Sequence, residues 1–333
     1  MTLIKSISGI RGTIGGRSGE NLTPVDIVKF SAAFGSWVKR RNKDVRNMVV
    51  GRDARISGPV VSDLVISTLR SMGITVTDLG LATTPTVELA VAGTGAAGGI
   101  IITASHNPSQ WNALKLLNEK GEFLSARDGE EVLDIARDED FIFAEAGHEG
   151  GLITDRSWDS KHIDMVLQLA LVDRAAIEKA QLKVAVDCVN SVGGIIIPQL
   201  LKALGVKSVI ELNTNPDGKF AHNPEPLPEN LKDISELVVR EKADLGIVVD
   251  PDVDRLAVIC EDGSMFGEEY TLVSVSDYIL QNTPGNTVSN MSSTRALKDI
   301  TEKYGCSYFA AAVGEVNVVE EMKARNAVIG GEG

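Results

Sequence analysis

The pattern of apolar and polar residues along this chain predicts short strands and amphipathic helices in a recurring order. Runs rich in β-branched residues, such as 98–102 and 245–249, predict strands that are covered by other elements. Between such runs, apolar residues recur at helical spacing, as over 59–72, where the pattern stops at Gly73. Strand and helix patterns of this kind continue to residue 330. The chain is therefore predicted to be an α/β protein built from repeated units.

The chain is also too long for one ordinary core, because single cores stop growing near 250–300 residues. It has 333 residues, and an acidic, glycine-containing stretch at 137–157 separates two groups of elements. A further unit begins near Glu261, after two apolar runs. We expect three similar α/β domains, at 1–153, 154–256 and 257–333.

Composition narrows the class of protein. The net charge is −13 and no basic face is evident, which argues against nucleic acid as a partner. No apolar stretch is long enough for a membrane span, and the first residues lack the core of a signal peptide. Cys188, Cys260 and Cys306 are scattered without metal-binding spacing, so we expect reduced thiols and a cytoplasmic protein.

The segment GGIIITASHNP, at 98–108, delivers a serine to the end of a strand. Pro108 ends regular structure, so Ser105 and His106 are expected in a loop at the strand's carboxyl end. Open α/β sheets bind ligands at that edge. Ser105 is therefore a candidate nucleophile or phosphoryl carrier, although a polar turn that caps a helix would fit the segment alone.

A second segment places Asp250, Asp252 and Asp254 between two apolar runs. Three carboxylates about 5 Å apart repel by about 3 kcal/mol per pair at an effective dielectric near 20. Magnesium, which prefers oxygen ligands, would offset that repulsion, whereas side chains splayed into water would not need it. A calcium loop of the EF-hand type is excluded, because Arg255 stands where its tight turn requires glycine. The GxGxxG string at 93–98 precedes a strand and is interpreted as a turn.

Together, the strings TASHNP at 103–108 and DPDVDR at 250–255 resemble the α-D-phosphohexomutases, which include phosphoglucomutase, phosphomannomutase and phosphoglucosamine mutase. The resemblance covers nearly the whole chain. Further matching segments follow in the family's order: SGIRG at 8–12, GRDAR at 51–55, NALK at 112–115, AVGEVNV at 312–318 and GGE at 330–332. The resemblance implies α/β domains with mixed sheets flanked by helices, and an active-site cleft between the domains.

The resemblance also implies a chemistry. Ser105 would carry a phosphoryl group, and one Mg²⁺ per chain would be held by that phosphoserine and the three aspartates. A hexose or hexosamine phosphate would be interconverted between its 6- and 1-phosphate through a hexose 1,6-bisphosphate. The remaining roles would fall to the following residues: Arg11 and Arg255 as phosphate clamps that also bind substrate, Lys115 as acid/base, His106 as an assistant or loop anchor, and Glu332 as a sugar contact. Neighbouring cations would depress the pKa of Lys115, whereas a solvated lysine at the end of a strand is the alternative.

Two departures from the family pattern affect these expectations. Ala113 replaces a glycine in the lysine motif. The GGE segment is followed only by Gly333, and no R-x-S-G-T string of the family's carboxyl-terminal phosphate-binding domain is present. We therefore expect a chain that lacks the fourth domain, with a mobile Glu332 and weak or no activity.

Other interpretations remain open from the sequence. Besides a mutase, the chain could be a magnesium-dependent phosphosugar phosphatase or a non-catalytic phosphosugar-binding module. The substrate would be a small glucosamine, glucose or mannose phosphate, and the oligomeric state cannot be read. Arg52 and Arg55 are further expected phosphate contacts, and His222 is expected to be exposed.

Overall fold

The structure is a computed structural model that describes residues 1–6, 9–42 and 47–332. Ser8 of the SGIRG segment and the terminal Gly333 lie outside the described residues. The strands are Ile4–Ser6 (β1), Gly9–Thr13 (β2), Asn47–Arg52 (β3), Thr75–Leu81 (β4), Gly99–Ile102 (β5), Trp111–Leu117 (β6), Leu152–Thr154 (β7), Lys183–Asp187 (β8), Ser208–Leu212 (β9), Leu245–Val249 (β10), Leu256–Cys260 (β11), Thr287–Asn290 (β12), Tyr308–Ala311 (β13) and Ile329–Gly331 (β14). The α-helices are Pro24–Arg41 (α1), Gly58–Ser71 (α2), Thr84–Thr94 (α3), Ala126–Asp138 (α4), Trp158–Leu167 (α5), Arg174–Ala180 (α6), Gly193–Leu204 (α7), Lys232–Glu241 (α8), Tyr270–Asn282 (α9), Ala296–Lys303 (α10) and Glu315–Arg325 (α11).

The largest sheet has seven strands in the order β1-β2-β6-β5-β3-β4-β7. Its first four strands pair antiparallel, whereas β5, β3, β4 and β7 pair in parallel, so the sheet is mixed as predicted. Because β3 and β5 are parallel neighbours, the segments that follow them leave the sheet at one edge. Those segments carry Asp53 and Ser105, which places both at the start of the same loop cluster.

Helices cover both faces of this sheet. On one face, α1, α2 and α4 pack their apolar sides onto residues such as Val50 and Ile100 to form a large core. On the other, α3 and Trp158 of α5 pack onto Val49 and Ile101. Consecutive strand residues thus face different cores, and all four residues of β5 are buried. This explains why the strand reads as a continuous apolar run.

A four-stranded sheet has the order β11-β10-β8-β9, and a three-stranded sheet has the order β13-β12-β14. The pairs of the three-stranded sheet are parallel. By compactness the chain divides into two units: the first comprises Met1–Leu182, Val186–Leu231 and Val249–Arg255, and the second comprises Lys183–Ala185, Lys232–Val248 and the residues from Leu256 onward. The expected domain limits at 153 and 256 stay a prediction.

The strands predicted at 98–102 and 245–249 and the helix predicted at 59–72 are confirmed to within a few residues, but several elements were missed. The amino-terminal strands β1 and β2 have no sustained apolar run, and β2 is held by pairing with β6. Helices α4, α5 and α6 were not predicted because charged residues dilute their apolar spacing. Of these, α4 buries a short apolar stripe that includes Val132 and Ile135.

Candidate active site

Ser105 occupies a strained position at the end of β5. Its φ of 47° lies in the left-handed region, which residues with a Cβ rarely adopt. The Ser105 amide donates to the Thr103 hydroxyl at 2.9 Å, and the Asn107 amide donates to the Ala104 carbonyl at 3.0 Å. Such strain persists only where the surroundings determine the backbone, and it is typical of functional loops.

Arg55 provides the main support of this loop. Its side chain is fully buried, and its Nε pairs with the buried Asp53 carboxylate at 3.0 Å. Its remaining four N–H groups donate to carbonyl oxygens of the serine loop at 2.5–3.0 Å: those of Ser105, Asn107, Pro108 and Trp111. A guanidinium has five donors. Arg55 therefore has none left for phosphate, and the expectation that it contacts substrate is wrong.

The aspartate loop follows β10 and lies beside Ser105. Asp250 and Asp252 are completely buried, and one oxygen from each of the three aspartates lies within 4.8 Å of the others. The Ser105 hydroxyl donates to Oδ2 of Asp250 at 2.8 Å and lies 3.5 Å from Oδ1 of Asp254. Residues 145 positions apart in the sequence thus meet, and the predicted serine and aspartates form one cluster.

The cluster carries more negative charge than it can balance. Burial, together with repulsion from Asp252 and Asp254, raises the pKa of Asp250 well above its usual value. For Asp252, burial acts in the same direction, but the ion pair with Lys115 outweighs it and lowers the pKa. One carboxylate is stabilised as an anion while its neighbour is pushed towards protonation, which is the situation that a bound cation relieves.

Lys115 faces the aspartates from β6. Its Nζ lies 2.8 Å from Oδ2 of Asp252 and 2.9 Å from Oδ2 of Asp254. Burial opposes the charged form, but these two carboxylates outweigh it and raise the pKa of Lys115 above its ordinary value. The expected depression of that pKa is therefore wrong for this arrangement, because the neighbours of Lys115 are anions.

The donor set fits a hard divalent cation. Oδ2 of Asp252 accepts from Lys115 and from the Thr84 hydroxyl, at 2.8 and 2.6 Å. The other oxygen, Oδ1, is buried and has no hydrogen-bond partner among the described residues. A buried anionic oxygen without a partner is costly. Carboxylates of this kind are ligands for Mg²⁺, which usually binds to one or two of them and to phosphate oxygens.

Arg11 lies on the same face of the sheet as Lys115. It is paired with Ala113 across β2 and β6, and residues two apart on a strand share a face. The Nε of Arg11 is buried without a hydrogen-bond partner among the described residues. This guanidinium has a donor available for a ligand, in contrast to Arg55.

Arg255 and His106 border the same loops. The guanidinium of Arg255 lies 3.5 Å from Glu225, and both side chains are more than one-third exposed. Nδ1 of His106 lies 3.4 Å from the Ser105 hydroxyl oxygen. Burial, followed by the nearby positive charge of Arg255, lowers the pKa of His106, so its neutral ring is favoured.

The structure also shows the surroundings of His222 and Glu332. His222 is not exposed as expected: its Nε2 lies 3.2 Å from Oδ2 of the buried Asp187, and its side chain is only 15% exposed. Glu332 belongs to the second unit, where its Oε1 accepts from Nδ2 of Asn290 at 2.8 Å and from the amide of Gly314 at 2.7 Å. Its side chain is therefore hydrogen-bonded within that unit, and the expected mobility stays a prediction.

Sequence reasoning missed two supporting residues of the site. The roles of Arg55 and Thr84 depend on partners 50–56 and 168 positions away, respectively. The one available signal was local: Asp53 follows a buried strand and Arg55 comes two residues later, which places both at the ligand-binding edge. Nothing in the spacing distinguishes an arginine that binds phosphate from one that binds backbone.

A serine fixed beside a buried carboxylate cluster and a lysine defines a centre suited to metal-assisted phosphoryl transfer. Profiles of phosphoglucomutase/phosphomannomutase alpha/beta/alpha domains I, II and III match residues 3–143, 160–263 and 267–333. The chain belongs to this family, and the predicted architecture of three α/β domains is confirmed.

Individual relatives agree with the family match. The chain is 37% identical over 325 residues to a phosphoglucomutase/phosphomannomutase of Thermococcus kodakarensis, a match that spans 96% of this chain and 70% of that one. It is 33% identical over 327 residues to a probable phosphoglucosamine mutase of Methanopyrus kandleri, spanning 98% of this chain and 69% of that one. A crystal structure of a phosphoglucomutase/phosphomannomutase family protein from Burkholderia thailandensis superposes with a TM-score of 0.83 at 26% identity, covering 100% of this chain and 71% of that chain.

The helices of the structure also bear on the membrane prediction. None of those in the described ranges is both long and apolar enough to cross a bilayer.

Proposed function

We propose that this chain is a phosphohexomutase that interconverts a hexose or hexosamine 6-phosphate and 1-phosphate through a phosphoserine at Ser105 and a 1,6-bisphosphate. The observation that carries the proposal is the contact of 2.8 Å between the Ser105 hydroxyl and Asp250, inside a loop that Arg55 fixes by four hydrogen bonds. Membership of the family supports it. Glucosamine, glucose and mannose phosphates are the substrate candidates, in line with the names of the relatives.

The transfer exchanges one phosphate ester for another. An oxygen of the sugar would form a bond to phosphorus while the bond between phosphorus and Oγ of Ser105 breaks. The sugar hydroxyl loses a proton and Oγ gains one, so no net proton is consumed. Because the serine backbone is fixed before the reaction, the reacting oxygens need little reorganisation to align.

The metal centre would supply charge neutralisation. Asp250, Asp252, Asp254 and an oxygen of the Ser105 phosphate would hold Mg²⁺, which when bound offsets phosphate charge and polarises the phosphorus. The unpartnered Oδ1 of Asp252 and the raised pKa of Asp250 support this assignment. The phosphoserine itself adds about −1.5 to −2 charge at neutral pH.

Two groups support the proton movements. Lys115 is favoured in its charged form and can donate a proton to an oxygen that leaves phosphorus. His106 is favoured in its neutral form, lies 3.4 Å from the Ser105 hydroxyl oxygen and can accept a proton. In the reverse transfer, the same two groups exchange roles by microscopic reversibility.

The remaining candidates would hold the substrate. Arg11 offers a buried donor without a partner, and Arg255 is accessible beside Glu225. Both would bind phosphate oxygens as charge-assisted donors. Glu332, whose Oε1 accepts from Asn290, would accept hydrogen bonds from sugar hydroxyls.

The test compares Ser105→Ala with Ser109→Ala, a control in the same loop with an exposed side chain. Each protein is incubated with Mg²⁺ and glucose 1,6-bisphosphate, and peptide mapping then locates any added 80 Da, about the mass of one covalent phosphate. Glucosamine, glucose and mannose 1-phosphates are then assayed for their 6-phosphates and for inorganic phosphate.

We expect phosphate on Ser105 in the wild type and S109A, isomer formation in both that is slow at most, and neither product in S105A. Release of inorganic phosphate without an isomer would instead favour a phosphatase. Absence of phosphate and of turnover in the wild type would favour a binding module and overturn the proposal.

A further inference from the structure

The buried carboxylate of Asp252 has two oxygens in different states. Oδ2 accepts from Lys115 at 2.8 Å and from the Thr84 hydroxyl at 2.6 Å. Oδ1 is equally inaccessible but accepts no hydrogen bond from the described residues. One oxygen is thus fully occupied by protein donors, whereas the other is left for a ligand.

Two hydrogen bonds connect Thr84 with Asp252, one between their side chains and one between their backbones. The Thr84 amide donates to the Asp252 carbonyl at 2.9 Å, in addition to the bond between their side chains. Thr84 is the first residue of α3, and Thr83 caps that helix by accepting from the Thr86 amide. Amides in the first turn of a helix have no partner within the helix. The Thr84 amide finds one in the aspartate loop.

These two bonds act together on the orientation of one side chain. The bond between backbones fixes the position of Asp252 relative to α3, and the Thr84 hydroxyl helps to fix the plane of the carboxylate. A partial rotation of the carboxylate about its Cβ–Cγ bond would break the contacts with both Thr84 and Lys115. A carboxylate locked in this way loses little further freedom when it binds an ion.

We propose that Thr84 is a positioning residue for the metal centre, which orients Asp252 so that Oδ1 is presented to the divalent cation. The inference rests on the metal centre of the proposed function but does not depend on which sugar is the substrate. Thr84 does not need to touch either the ion or the phosphate. Removal of partners that orient metal ligands typically weakens metal binding by roughly 10- to 100-fold.

The test uses Thr84→Val, which keeps the shape and removes the hydroxyl, and Thr84→Ser, which restores it. Thr86→Val is the matched control, since Thr86 is buried in the same helical turn and its hydroxyl contacts Thr83 and His162 instead of Asp252. The affinity for Mg²⁺ is measured by calorimetry on the full chain without sugar, and Mn²⁺ binding by electron paramagnetic resonance. Circular dichroism verifies folding, and Thr84→Ala replaces the valine variant if that one does not fold.

We expect T84V to bind Mg²⁺ roughly 10- to 100-fold more weakly than the wild type, with T84S and T86V close to wild type. Equal affinity of T84V and the wild type would overturn the proposal, as would equal losses in T84V and T86V, which would indicate a general effect of helix packing. A wild type that binds no Mg²⁺ would also overturn it. Mg²⁺ binding with the expected pattern but without isomer formation would refute the proposed function alone.

Discussion

Replacement of Arg55 by lysine tests whether its five donors hold the serine loop. Lysine keeps the positive charge but has three donors on a single nitrogen, so at least two of the five acceptors lose their partner. An orphaned buried acceptor costs about 1–3 kcal/mol. Two orphaned acceptors would cost about 2–6 kcal/mol. Because three of the four bonds to carbonyl groups are only partly buried, we expect R55K to destabilise the first unit by about 2–3 kcal/mol, near the lower end of that range.

Replacement of Arg55 by methionine removes the positive charge as well as the hydrogen-bond donors. Asp53 is completely buried, and removal of one partner of a buried ion pair costs about 3–5 kcal/mol. Burial already raises the pKa of Asp53, and loss of Arg55 raises it further. A folded-state pKa above the unfolded value means that the folded state binds more protons in that window, so stability falls as the pH rises through it. The penalty of R55M should therefore be smaller at pH 5 than at pH 8.

Urea denaturation followed by tryptophan fluorescence measures both effects. The three tryptophans, Trp37, Trp111 and Trp158, all belong to the first unit, so the signal reports its unfolding. Arg52→Lys serves as the control, since Arg52 donates one hydrogen bond, to the Asp53 carbonyl at 3.0 Å.

The double variant D53N/R55M removes the buried charge and should recover part of the loss seen in R55M. An R55K midpoint that equals those of the wild type and R52K would refute the reasoning. A penalty for R55M that does not change with pH would show that Asp53 is not the group left unpaired.

Two further predictions concern parts of the chain outside the catalytic residues. The Cys188 thiol is fully buried, and burial raises its pKa. It should therefore resist iodoacetamide at pH 8 in the native protein while the partly exposed Cys306 reacts. Peptide mass spectrometry measures both reactions, and faster modification of Cys188 would contradict the prediction. Gly218→Ala should be more destabilising than Gly147→Ala in urea denaturation, because both have positive φ but only at Gly218 would a Cβ lie 2.0 Å from a backbone oxygen, that of Ala54. Equal midpoints for the two variants would contradict the packing argument.

Buried strands were the easiest elements to predict. The segments that became β5, β10 and β11 are continuous apolar runs, because covered strands have no solvent face to mark with polar residues. By contrast, β2 contains two glycines and Arg11, and it exists through its register with β6, in which Arg11 faces Ala113. Pairing between distant segments leaves no periodic signal in either of them.

The chemistry of the site was predictable for a different reason. Ser105 and the three aspartates each stand next to a predicted strand, so local rules place them at a sheet edge. Arg55 shows where such rules end. Its residue type and position fit a phosphate contact, but its donors are used by four carbonyls of a loop that begins 50 positions later. Only the three-dimensional arrangement shows whether its donors remain free.

Because the Ser105 hydroxyl contacts Asp250, phosphorylation of this serine would change how strongly the aspartates bind a cation. The hydroxyl now donates to a carboxylate at 2.8 Å, and a phosphoryl group on the same oxygen would replace that attraction by repulsion between two anions. If Ser105 is the carrier, a cation at the aspartates relieves this repulsion, and the phosphoryl group in turn strengthens retention of the cation. Coupling of this kind is reciprocal by thermodynamic necessity. A sample that carries phosphate on Ser105 should therefore retain Mg²⁺ more strongly against a chelator than an unphosphorylated one.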